Sequence, residues 1–236
     1  MVKKIVLFIV MIITSSPIAW ATLTVSPLKI NFTAGQHGYR DIFLKNKSKK
    51  GLYIEVTPMR ILHPGMPNQL VESYEVENPY HFGLAVSRLY TYLPANSRRM
   101  IRVVPLIDKI KQDAIYSIRI VPLPGNPEPI MKRSKLVVTH MRVLVGYDIL
   151  LFIRPANAQP KIILSRQGHR LTIKNQGNTN VLLYKGRQCQ PNTHHCIKLP
   201  SKRLYAGNTW SLHLQYNAPV SFEQSWVGHK KSVNSH

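Results

Sequence analysis

The chain has 236 residues, with 32 Lys and Arg against 10 Asp and Glu and a formal net charge of +22. At 44% hydrophobic and 18% charged residues it is too apolar to be a solvated basic tail, and it has no heptad run for a coiled coil. What remains is a folded, strongly basic protein with one large domain or two small ones, whose charge favours an anionic partner without naming it.

The first residues point to export. Val2-Lys3-Lys4 precedes an apolar run, Ile5–Ile13, and then the small-residue site Ala19-Trp20-Ala21, the three-part pattern of a signal peptide spanning 1–21. Thr14-Ser15-Ser16-Pro17 breaks the apolar run, and no later stretch approaches the ~20 residues that span a bilayer, so stable membrane insertion is not expected. Cleavage removes Lys3 and Lys4, two of the 22 excess charges, and leaves +20. An exported protein rarely meets DNA, which argues against a nucleic-acid partner.

The apolar residues then fall in strand-length runs bounded by Pro, Gly, Asn and Ser: Leu23–Phe32, Tyr39–Asn46, Leu52–Ile61, Ala85–Tyr90, Arg98–Pro105, Ile115–Leu123 and Lys135–Ile153. Seven strands in about 130 residues, with turns between them, predict an all-β immunoglobulin-like sandwich. A helical turn is predicted within Pro105–Asp113, and Gln69–Pro79, with Glu72, Glu75 and Glu77, reads as a solvated loop. Arg154–Pro160 is a proline-bounded linker. Beyond it the pattern restarts with Lys161–Ser165, Arg170–Asn175, Val181–Tyr184, Thr209–Gln215 and Ser221–Val227. The expected division is 22–154 for a first sandwich and 155–236 for a second, smaller one. Each carries a net charge of +10, the second from 11 basic residues and one acid.

Chemistry-bearing constellations are sparse. There is no G-x-S-x-G, H-E-x-x-H or glycine-rich phosphate loop, so no catalytic residue, metal or cofactor is expected. Cys189 and Cys196 are the only cysteines and in an exported chain read as one disulfide stapling a hairpin tip. A zinc site of Cys189, His194, His195 and Cys196 is the alternative, disfavoured because adjacent histidines beside a cysteine rarely suit one tetrahedral ion.

Leu136–Pro155 is far longer than the ordinary strand of ~5–6 residues. On strand alternation Val137, Met141, Val143 and Val145 share one face. A strand this long must overhang or form an edge, and an overhanging apolar edge invites pairing with another chain.

Four segments, in order, resemble those of PapD-like periplasmic chaperones of the chaperone–usher pilus pathway. They are Leu23–Phe32; Tyr92-Leu93-Pro94-Ala95-Asn96-Ser97 running into Arg98–Val103; Asp113–Pro124; and Ile149-Leu150-Leu151-Phe152-Ile153-Arg154-Pro155-Ala156. The resemblance implies two immunoglobulin-like β-sandwich domains in an L-shaped arrangement. It implies a non-enzymatic chaperone that caps pilin subunits by lending them the strand they lack, with Met141, Val143 and Val145 donated, and that hands them to an outer-membrane usher. It also implies a cleft cation, Lys29, for the subunit's terminal carboxylate, and an interdomain ion pair of Asp113 and Arg154. The second family cation falls on Leu150, so the anchor is either single or completed by Arg142, and Lys29 itself could be an ordinary exposed strand lysine. Ala95 replaces the family's turn glycine, and the Cys189–Cys196 hairpin is not a general family feature. Self-association when free would be one way to hide the exposed strand. The competing readings are a structural pilus component, which the long strand followed by a second domain disfavours, and a periplasmic binder of anionic polymers, supported by charge alone.

Overall fold

Along Arg40–Asn46, Ile42, Leu44 and Asn46 are buried while Asp41, Phe43 and Lys45 between them are not. This period of two is the signature of a sheet with one face on a core. The computed structural model describes residues 23–124, 144–191, 193 and 195–235. The signal-peptide assignment, residues 1–21, lies outside them.

The first predicted strand, Leu23–Phe32, is two strands. β1 (Leu23–Ser26) and β2 (Lys29–Thr33) lie in different sheets, with Pro27 between them, because a residue without an N–H cannot join a ladder. β3 (Arg40–Asn46) and β4 (Leu52–Leu62) follow. β5 (Leu70–Ser73) comes from the stretch read as a loop and pairs with β4, placing Glu72 opposite Arg60 in an ion pair of 3.6 Å. The one helical turn among the described residues is α1 (Pro79–Phe82), not Pro105–Asp113. Asn78 caps it through its side chain, and Gly83, at φ 81°, ends it. A Cβ at Gly83 would meet Ile107 at 2.6 Å and the Tyr116 hydroxyl at 2.8 Å, so this turn needs glycine twice over.

The predicted Ala85–Tyr90 strand is likewise divided, into β6 (Leu84–Val86) and β7 (Tyr90–Leu93), which lie in opposite sheets. β8 (Arg98–Pro105), β9 (Ala114–Pro122) and β10 (Tyr147–Arg154) complete the first sandwich. Its sheets run β1-β3-β8-β6 and β2-β10-β9-β4-β5, with β7 also on β4. Between them lies one apolar core, from Leu23 to Ile153. Each fully buried Ile, Leu or Phe there contributes about 1.5–3 kcal/mol. Polar groups inside it are paired where they matter: Tyr116 donates its hydroxyl to the Phe82 carbonyl at 2.8 Å, and Asn46 Nδ2 donates to the Lys50, Leu93 and Pro94 carbonyls.

The second sandwich is built from β11 (Ile162–Gln167), β12 (Arg170–Asn175), β13 (Val181–Cys189), β14 (Cys196–Leu199), β15 (Lys202–Leu204), β16 (Thr209–His213), β17 (Val220–Trp226) and β18 (His229–Ser235). Its sheets are β11-β12-β16 and β14-β13-β17-β18, with β15 also on β13. A separate core, Leu171, Ile173, Val181, Leu183, Leu204 and their neighbours, fills it. A bulge between Tyr184 and Arg187 bends β13. Along its other edge the strand pairs first with β15 and then with β14. Cys189 and Cys196 face each other across the β13–β14 ladder and are disulfide-bonded. The zinc alternative therefore fails, since a disulfide has no thiolate to offer a metal. The fold is all-β, two immunoglobulin-like sandwiches.

Candidate functional site

The junction between the sandwiches is assembled by strand register. β2 runs parallel to β10, with Lys29 opposite Leu150, Asn31 opposite Phe152 and Thr33 opposite Arg154. Ile30, Phe32, Ile149, Leu151 and Ile153 point into the first core. Lys29, Asn31, Leu150, Phe152 and Arg154 therefore occupy the opposite face. On an uncovered sheet that face would be wet. Instead Phe152 is 0% and Arg154 2% exposed, because the second sandwich lies over this end of β10.

The covering row comes from three adjacent strands. Leu182 on β13 is opposite Arg203 on β15 and opposite Ser225 on β17. Together with Lys29, Asn31, Arg154 and the Trp226-Val227-Gly228 turn they line a cavity of about 110 Å³, room for about three or four waters' share of liquid volume. That turn joins β17 to β18 in two residues, both with positive φ, 40° at Val227 and 79° at Gly228. The geometry suits a hairpin of right-handed twist, but it is one that a β-branched residue rarely adopts. Val227 and Trp226 thus give the polar cavity an apolar rim.

Asp113 and Arg154 are 3.3 Å apart with side chains 4% and 3% exposed. Asp113 Oδ2 also accepts from the Thr179 hydroxyl at 3.1 Å, the Asn180 backbone N–H at 2.7 Å and Asn180 Nδ2 at 2.5 Å. Its other oxygen is buried without a hydrogen bond. Arg154 donates to Asn31 Oδ1 and to the Thr179 hydroxyl. Residues of both sandwiches are therefore tied through one carboxylate. A second tie is Asn208 Nδ2 donating to the Pro64 carbonyl at 3.0 Å, at the end of the β4–β5 hairpin.

Around Phe152 the electrostatics change sign. Arg154 Cζ lies 5.0 Å, Arg203 Cζ 5.5 Å and Lys29 Nζ 5.6 Å from the ring centroid. Cation–π attraction of this kind is worth about 0.5–2 kcal/mol, yet three cations on one ring repel one another. Partial burial, with Arg203 and Arg154 close by, holds the Lys29 ammonium below the usual lysine range. Burial pulls both guanidinium groups down as well, opposed by Asp113. Among the described residues neither Lys29 nor Arg203 has a carboxylate partner.

Arg203 did not emerge from the sequence. Leu150, at the position that the resemblance gives to a second cation, is the register partner of Lys29 but brings no charge. Met141, Arg142 and Val143 lie outside the described residues, as does His194. Of the predicted long strand Lys135–Ile153, the ladder is seen from Tyr147 onward. Leu144 and Val145 precede it, exposed at 36% and 48%.

No protein-family model matches the sequence, and no curated protein matches it. Solved structures do. The class 5 fimbriae chaperone CfaA superposes with a TM-score of 0.67 at 18% identity, covering 90% of this chain and 97% of that one. A chain of the chaperone–tip adhesin complex of CFA/I fimbriae biogenesis gives 0.66 at 18% identity, with 91% and 98% covered. A chain of the CsuC–CsuE chaperone–tip adhesion subunit pre-assembly complex, from the archaic chaperone-usher Csu pili of Acinetobacter baumannii, gives 0.61 at 13% identity, with 91% and 98% covered. The chain thus has the PapD-like fold of the fimbrial chaperones, two immunoglobulin-like β-sandwiches joined end to end in sequence.

Proposed function

We propose that this protein is a periplasmic chaperone of the chaperone–usher pathway that binds pilin subunits and delivers them to an outer-membrane usher. The observation that carries the reading is a fimbrial-chaperone fold whose two sandwiches enclose a small cationic cleft ending at β10. The segment immediately before β10 is the donated strand. Met141, Val143 and Val145 supply alternate apolar side chains to a subunit lacking its last strand, and the backbone supplies ladder hydrogen bonds. The exposure of Leu144 and Val145 supports this, because apolar residues at the head of a strand are free to pair with a partner. Lys29 anchors the subunit's terminal carboxylate, and Asp113 with Arg154 fixes the angle between the sandwiches.

The cavity's size favours a single carboxylate over an extended polyanion, which would need a groove. The reading is tested by periplasmic co-expression of the full chain with fimbrial subunits. The wild type is expected to yield a soluble one-to-one complex, and Val143→Asp, which would place a charge in the subunit's apolar groove, to yield none. Normal capture by Val143→Asp would remove the donated-strand assignment.

A further inference from the structure

The charges at the junction do not balance. Lys29, Arg154 and Arg203 gather round Phe152, and the carboxylate among them, Asp113, is already ion-paired with Arg154 and hydrogen-bonded by Thr179 and Asn180. Arg203 cannot draw on its own sandwich. Residues 155–236 contain one acidic side chain, Glu223, and that is held by Lys185 at 2.9 Å. Arg203 is instead steered by a neutral acceptor, donating from Nη1 to Asn180 Oδ1 at 2.6 Å. The same Asn180 holds Asp113 through its N–H groups, so the guanidinium is positioned without being neutralised.

A half-buried guanidinium and an ammonium, neither ion-paired among the described residues and both lining one small cavity, form a site for an anion from outside the chain. The arginine offers a fork of donors and the lysine a point charge, a combination suited to one carboxylate with two oxygens.

We infer that Arg203 is the second cation of the carboxylate anchor, so that the bound terminus is gripped by Lys29 from the first sandwich and Arg203 from the second. This rests on the reading of the cleft as a carboxylate anchor and extends it. The charge missing at Leu150 is restored from β15, on the facing row. Because the two grips belong to different sandwiches, binding also locks the angle between them, which an anchor confined to the first sandwich would not do.

The test uses the full chain with a co-expressed fimbrial subunit, scored as subunit recovered per chaperone. Arg203→Gln keeps a donor for Asn180 and most of the stem while removing the charge. It is expected to lower recovery at least tenfold with little change in Tm, whereas Arg203→Lys retains most of it and Arg187→Ala, at an exposed arginine of the same sandwich, stays within about twofold. Recovery by Arg203→Gln equal to wild type, while Lys29→Ala loses the subunit, overturns the inference and leaves the proposed function standing. So does loss of capture on Arg142→Ala with Arg203→Gln unaffected. If the wild type captures nothing, it is the proposed function that fails, and this inference with it. Should Arg203→Gln lower Tm, sodium acetate titrated into the wild-type chain against sodium chloride of equal ionic strength decides. The Arg203 Nε–H resonance is expected to shift and that of Arg187 not to; an unmoved Arg203 resonance overturns the inference.

Discussion

Asp113, beside Arg154, gathers an arginine, a hydroxyl and two N–H groups on one oxygen; Lys29 and Arg203, also close to Arg154, have cations for neighbours and, among the described residues, no carboxylate paired with them. Both groups lie at the same junction and both are partly withdrawn from water. The first is neutralised from within the chain and so contributes to structure. The second carries an excess of like charge, which costs stability in the free protein and which, in the proposed function, the subunit's carboxylate offsets. A buried ion pair is a poor guide to net stability, but breaking one leaves an uncompensated charge. An unneutralised pair of cations behaves in the opposite way.

The largest effect expected is that of Asp113→Ala. With its partner gone, Arg154 is left buried and unpaired, at a cost of about 3–5 kcal/mol. Urea unfolding followed by tryptophan fluorescence measures it, as a lower midpoint. An unchanged midpoint would mean that the closed network contributes no more than the open one.

Replacing both Cys189 and Cys196 with Ser should cost about 2.5 kcal/mol by releasing a short loop. This change touches neither group at the junction, so subunit recovery at a temperature where the variant stays folded should match wild type. If recovery fell with stability here, capture would be reporting general destabilisation and not the cleft.

Thr179→Val removes a hydroxyl that bonds both Asp113 and Arg154 while keeping shape. A loss of about 1–3 kcal/mol is expected on the same unfolding assay.

The smallest effect should have the opposite sign. Lys29→Met removes one of three crowded cations, and Tm at neutral pH is expected to stay level or rise slightly. The folded-state pKa of Lys29 is depressed, chiefly by burial and then by the two arginines. A lysine of this kind costs stability while it is protonated in both states. That cost lifts as pH climbs from the depressed folded value to the ordinary lysine value, where the unfolded chain loses its proton too. The stability difference between wild type and Lys29→Met should therefore shrink as pH rises into the alkaline range. A wild type more stable than Lys29→Met at neutral pH, with that advantage lost as pH rises, would show instead that Lys29 is stabilised by a partner anion of the chain.

The contrast also explains what could be read from the sequence. The strands of the first sandwich were legible because one face of each is buried, so apolar residues recur at alternate positions, as in Ile42 and Leu44 or Ile118 and Ile120. Where the chain changes sheet, at Pro27 and between Val86 and Tyr90, composition stays strand-like and the break is invisible until pairing is known. The edge strands β5 and β18 were missed because edges are kept polar or charged, as Glu72, Lys230 and Lys231 show. Lys29 and Arg154 sit at proline-bounded places on paired strands, so their shared face follows from register. Arg203 lies on a strand of three residues, set off from β14 by Pro200 and Ser201, and reaches the cleft through its register opposite Leu182. No local pattern encodes that placement.

Native mass spectrometry of the full chain, tagged and isolated from periplasm co-expressing fimbrial subunits, tests the central claim most directly. The account predicts one chaperone bound to one subunit, with that species lost on Val143→Asp. Recovery of the chain only free, or only joined to copies of itself, would contradict it.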